Sequence, residues 1–80
     1  MIRWRPETGD IILVGACGDD DAEPLLELLL THPRAAIDWR DCVAAHTCIV
    51  QLLLAAGRPL LGPPKDPFLT RWVEPHLAAR

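Results

Sequence analysis

Aromatic and basic residues are scarce in this sequence. Its 80 residues include no tyrosine, one phenylalanine and three tryptophans, so aliphatic side chains must carry most of the core. Lysine and arginine number 8 against 11 Asp and Glu, for a formal charge of -3, and the basic residues are scattered. A protein that holds a nucleic-acid backbone needs a clustered basic face to displace counterions, and that class is set aside. No apolar run approaches the ~20 residues that cross a bilayer as a helix. The longest, residues 48–57, is short and contains Gln51. No apolar stretch of a secretory leader follows Met1. The three cysteines, Cys17, Cys42 and Cys48, cannot all pair within one chain, so the expectation is reduced thiols in a cytoplasm.

Half of the residues are hydrophobic. The length allows one domain, residues 1–80. A domain of this size buries only ~60% of its unfolded surface, so the core is small and a partner or oligomer is an expected source of added stability.

Residues 2–5 alternate apolar and polar, the period of a half-buried strand. Pro6 and Gly9 bracket a turn, and residues 11–14 form a second strand, which gives a hairpin. Residues 15–18 are read as the end of that strand. Asp19, Asp20 and Asp21 precede a helix over residues 22–31, where acidic side chains suit the positive helix end. Pro24 is tolerated only in the first turn, and His32-Pro33 stops the helix. Residues 34–39 read as a central strand and residues 40–45 as a loop. A second helix runs from His46 or Thr47 to Ala56, with Ile49, Leu52, Leu53 and Ala56 on one face and Gly57 just past its end. Residues 58–61 read as a short edge strand after Pro59. Asp66-Pro67 opens a last helix whose apolar residues are Phe68, Leu69, Trp72 and Val73. Pro75 is expected to kink or end it, before a final turn over residues 76–80. The order β-β-α-β-α-β-α predicts an α/β fold: a small mixed sheet of about four strands with right-handed crossovers and helices mainly on one face.

Chemistry-bearing residues are few. Thr47 stands where the loop becomes the second helix. Its hydroxyl reads either as a helix N-cap or as a phosphorylation and contact site, since phosphate adds about -1.5 to -2 charges. Cys42, His46 and Cys48 lie close in sequence. They lack the paired spacings of a zinc site and a visible orienting acid for a Cys–His nucleophile, so neither metal nor cofactor is expected. The three adjacent Asp residues lack a cation-loop pattern. Asp38 and Asp41 show no general acid–base set, so an enzyme is not expected. Leu26 and Leu30 on the first helix, with Val50 and Leu54 on the second, lie off the core stripes. They read either as an exposed patch or as two stripes that the helices hide against each other.

Residues 37–55, Ile-Asp-Trp-Arg-Asp-Cys-Val-Ala-Ala-His-Thr-Cys-Ile-Val-Gln-Leu-Leu-Leu-Ala, resemble the signature of STAS domains of the anti-sigma-factor-antagonist type. That signature is a strand ending in Asp, a loop, an acidic residue, Ser or Thr, a small residue, Gly and a Leu-rich helix. Without gaps, Asp38 falls on the strand-end Asp, Thr47 on the Ser/Thr and Cys48 on the small residue. His46 stands where the family has an acid and Ile49 where it has Gly. The resemblance implies a cytoplasmic, non-enzymatic signal-transduction module. Its partner would be a kinase-like anti-sigma factor, or the ATPase subunit of a transporter, and phosphorylation of Thr47 would release it. Asp38, His46, Thr47, Cys48, Val50 and Leu54 would form the partner surface. The alternative is a constitutive regulatory subunit or a self-associating scaffold, such as a homodimer, built on the apolar helix faces.

Overall fold

A computed structural model describes residues 1–73 and residue 75, the side chain of Trp72 excepted. Strand β1 (Ile2–Arg5) pairs antiparallel with β2 (Asp10–Cys17), with Arg5 opposite Asp10 and Ile2 opposite Leu13. The turn between them closes through the Gly9 N–H donating to the Arg5 carbonyl at 2.9 Å. β2 runs three residues past the expected end at Val14. Gly15 lets it do so. Its φ of 69° lies in the left-handed region, and the pairing register slips between Gly15 and Ala16. Glycine enters this conformation at little cost, so the segment read as a strand end is a bulged continuation.

The chain then turns at Asp19–Asp21, a single 3-10 turn. The Asp21 carboxylate closes it by accepting from the Gly18 N–H at 3.0 Å. Helix α1 (Ala22–Thr31) follows with the expected bounds and buries Leu25 and Leu29. It ends at His32, whose N–H donates to the Leu28 carbonyl.

Strand β3 (Ala36–Ala45) corrects the sequence reading more substantially. Residues 40–45 are strand, not loop. The bulged extension of β2 supplies the partner: Val14 pairs with Asp41, Gly15 with Cys42 and Cys17 with Ala45. Two register slips reset which face each residue takes, so β3 loses the simple alternation that marks a strand in sequence. Helix α2 (Thr47–Ala56) is capped by His46 and ends at Gly57, with φ 61°. Strand β4 is only Leu60–Leu61, paired parallel with Ile37 and Asp38. Beyond it, the Lys65 N–H donates to the Cys42 carbonyl at 2.9 Å. The Asp66 carboxylate accepts from the Phe68 N–H at 3.0 Å, as the start signal predicts. The last helical segment is of π type over Leu69–Val73 and buries Leu69. Packing of Trp72, the chain on either side of Pro75 and the final turn lie outside the described residues.

The sheet order is β1-β2-β3-β4, antiparallel at its first pair and parallel at the other two. Both crossovers step one strand in the same direction, and right-handed crossovers of that kind place their helices on one face. Leu25 and Leu29 of α1 and Ile49 and Leu53 of α2 share one core with Ile11, Leu13, Ile37 and Trp39. The alternate positions Asp10, Ile12 and Asp38 face the other way.

Arg58, just past the end of α2, ties that helix to the end of α1 and the connection to β3. Its guanidinium donates to the Leu29 carbonyl at 2.7 Å, to His32 at 2.9 Å and to Ala35 at 3.2 Å. It satisfies carbonyls at the end of α1 and places a positive charge at the negative end of that helix.

Candidate functional site around the start of α2

The junction between β3 and α2 is held from both sides. The His46 N–H donates to the Cys17 carbonyl at 2.9 Å, which fastens the turn to the end of β2. His46 has extended backbone (φ -63°, ψ 154°), as an N-cap requires. Its Nδ1 accepts from the Cys48 N–H at 3.1 Å, and the Cys48 Sγ lies 3.1 Å from the same nitrogen. An Nδ1 that accepts the backbone proton is unprotonated, so the thiol is the donor in the second contact.

This arrangement excludes the N-cap reading of Thr47. The cap is His46, and Thr47 is the first helical residue, exposed, with no side-chain hydrogen bond among the described residues. Ile49 points inward and is fully buried, so the residue standing at the glycine position of the STAS pattern adds no outward bulk.

Asp38 is placed elsewhere. Because β3 continues to Ala45, Asp38 lies eight residues before His46, more than ~20 Å along an extended strand. It is 3% exposed. Its carboxylate accepts from Arg40 Nε at 3.0 Å and Nη2 at 2.8 Å, and from Arg5 Nη1 at 3.2 Å. The Arg40 guanidinium, chiefly, holds the Asp38 pKa down at about 2 against the opposing effect of burial. The Arg40 backbone N–H adds a third bond from that residue, at 3.1 Å. Asp38 is therefore a sheet-face ion-pair residue and does not meet Thr47.

The four apolar residues off the core stripes also separate. Leu26 and Leu30 are exposed, whereas Val50 and Leu54 are half-buried against the core. At 100° per residue, Val50 and Leu54 lie on the flank of α2 turned from α1. The α2 residues that meet α1 are Cys48, Leu52 and Ala55. With Leu26, Leu29 and Leu30 they line a shallow groove between the helices, with Glu23 and Gln51 at one end and Ala56 and Arg58 at the other. Cys48 thus joins the helix start to the groove. Sequence reading missed Leu52 and Ala55 as groove residues because Leu52 fits the core stripe and alanine carries no pattern signal.

All three cysteines are free. Cys17 and Cys42 are buried, and the Cys42 thiol donates to the Ala44 carbonyl at 3.3 Å. Among the described residues no group of three His, Cys, Asp or Glu could hold a metal ion. No described helix is long and apolar enough to cross a membrane. Compared with known protein families, curated proteins and solved structures, the chain matches none.

Proposed function

We infer that the chain is a non-enzymatic regulatory module that binds another protein, in the manner of anti-sigma-factor antagonists, and that Thr47 is its switch. The observation that carries this reading is the Thr47 hydroxyl: exposed, uncommitted to a cap and set on the first turn of a helix without a charged side chain. A phosphate there would add about -1.5 to -2 charges at the positive end of the helix dipole. It would sit beside Cys48, where the helix start meets the apolar groove. The charge would stabilise α2 and change the surface offered to a partner without unfolding the domain. The partner class is a kinase-like anti-sigma factor or an ATPase subunit, and the setting is cytoplasmic.

Affinity capture from cell extract with wild type, Thr47→Ala and Thr47→Asp, quantified by mass spectrometry, tests this. The expected result is a phosphate on Thr47 in part of the wild-type protein and a partner retained by Thr47→Ala but lost by Thr47→Asp. Equal capture by all three, with no phosphate found, sinks the switch. Loss of the partner on Leu26→Asp alone would support the constitutive-subunit alternative, for which the exposed Leu26 and Leu30 are the supporting observation.

A further inference from the structure

The groove between α1 and α2 has a floor, a rim and a charge, and together they describe an occupant. The floor is Leu26, Leu29, Leu30, Leu52, Ala55 and Ala56. Leu26 is 44% and Leu30 74% exposed. The alanines on the α2 side leave room for bulky side chains from a partner. From Ala22 to Leu30 the groove follows α1 for ~12 Å, at ~1.5 Å per residue, which suits two to three turns of a docked helix.

The rim is acidic. Glu23 lines the groove, Glu27 is exposed one turn further along α1, and Asp19 and Asp20 are exposed just ahead of them. Residues 19–31 and 47–56 contain no Lys, Arg or His. Arg58 borders the far end, but its guanidinium is committed to three backbone carbonyls. The other basic side chains of known surroundings lie away from the groove, such as Arg5 and Arg40 on Asp38 and Lys65 on Asp41.

This distribution separates the candidate occupants. A second copy seated face to face would set the same acidic surface against this one, with no basic side chain in residues 19–31 or 47–56 to meet it, and like charges across an interface disfavour pairing. An anionic lipid surface or a nucleic acid is repelled for the same reason. An amphipathic helix with apolar anchors and basic flanks meets complementary groups on both counts, in the helix-in-groove mode of recognition. We propose that the α1–α2 groove is the docking site for a cationic amphipathic helix of a partner protein. The proposal rests on the protein-interaction reading above and names the partner's chemistry. It does not depend on Thr47, which is not among the residues that line the groove.

The test uses the full chain and a labelled 14-residue synthetic helix with Leu at positions i, i+3, i+4 and i+7 and Lys elsewhere, beside its counterpart with Glu for Lys. Binding is read by fluorescence anisotropy and located by amide chemical shifts. The Lys peptide is expected to bind at least about tenfold more tightly than the Glu peptide. Shifts should centre on Leu26, Leu30, Leu52 and Ala55. Leu26→Asp should weaken binding by about tenfold or more, and Glu27→Lys by several-fold. Glu7→Lys, in the hairpin turn, makes the same change in net charge and should leave binding within about twofold. Circular dichroism of Leu26→Asp confirms that the fold persists, and Glu27→Lys tests the groove independently. No binding of the Lys peptide, shifts away from the groove, an equal effect of Glu7→Lys, or a dimer in sedimentation that Leu26→Asp dissolves would each overturn the proposal. Thr47→Asp separates the two readings. If peptide binding holds in that variant while extract capture is unchanged, the switch fails and the groove stands. If extract capture depends on Thr47 while the peptide binds nowhere, the groove fails and the switch stands.

Discussion

Replacing Asp38 by Asn should convert a pH-dependent part of the stability into its absence. The Asp38 carboxylate is buried, accepts three side-chain bonds from Arg40 and Arg5, and has its pKa held from 3.8 down to about 2, first by the Arg40 guanidinium. A tenfold change in proton affinity is worth about 1.36 kcal/mol, so the shift corresponds to roughly 2 kcal/mol of folding stability at neutral pH. The Arg40 side chain is 56% exposed, and solvent screening reduces the expected figure to about 1–2 kcal/mol. The folded-state value lies below the unfolded one, so the contribution is complete above pH ~4 to 5 and disappears as the pH falls through about 2. Urea unfolding at a series of pH values, on wild type and Asp38→Asn, measures this directly. The two proteins should differ by about 1–2 kcal/mol at pH 7 and converge near pH 2. A constant offset across that range would refute the reasoning, because it would mean that Asp38 acts through packing rather than charge. Arg40→Gln should reproduce most of the effect. Arg40 supplies two side-chain bonds, at 2.8 and 3.0 Å, against a single longer bond from Arg5.

Three further outcomes are expected. Arg58→Met should cost about 2–3 kcal/mol in chemical denaturation, since it removes charged donors from three carbonyls at once. Gly15→Ala should cost about 1 kcal/mol through backbone strain alone, because φ is 69° while an added Cβ would meet nothing within 4 Å; a thermal melt unchanged by the substitution would count against the bulge geometry. In the native state a thiol reagent should modify Cys48 first, and Cys17 and Cys42 only at the rate at which the domain opens, since these two are buried and Cys48 is partly exposed.

The helices were legible because their signals are local. Pro24 and the aspartates mark the start of α1, His32-Pro33 its end, and Gly57 the end of α2, and each bound agrees with the structure. The strands were legible only where one register holds. β1 and the start of β2 read correctly, but beyond Val14 the bulge at Gly15 decouples sequence parity from the face of the sheet. The second half of β3 therefore looked like loop. That error carried into the site. A strand ending at Trp39 sets Asp38 near Thr47, whereas a strand ending at Ala45 separates them. The start of α2 at Thr47 was read from the sequence, but the role of cap passes to His46, a residue type outside the usual capping set. Arg58 was read as part of a strand, since no sequence pattern tells that a guanidinium will reach carbonyls 23 to 29 residues away. The Asp38–Arg40 pair was more accessible: residues two apart on a strand share a face, which places these opposite charges side by side.

The grip of Arg58 on Leu29, His32 and Ala35 also bears on how the chain tolerates being cut. Pro33 and Arg34 form the exposed tip of the connection between α1 and β3, and exposed tips are where proteases nick and where new termini are accepted. Here the carbonyls of His32 and Ala35, on either side of that tip, hang from one side chain. A break after Arg34 would leave both new ends moored to the same guanidinium, and the two fragments would remain associated as one folded body. The α1–β3 turn is thus a place where the described chain should tolerate a nick.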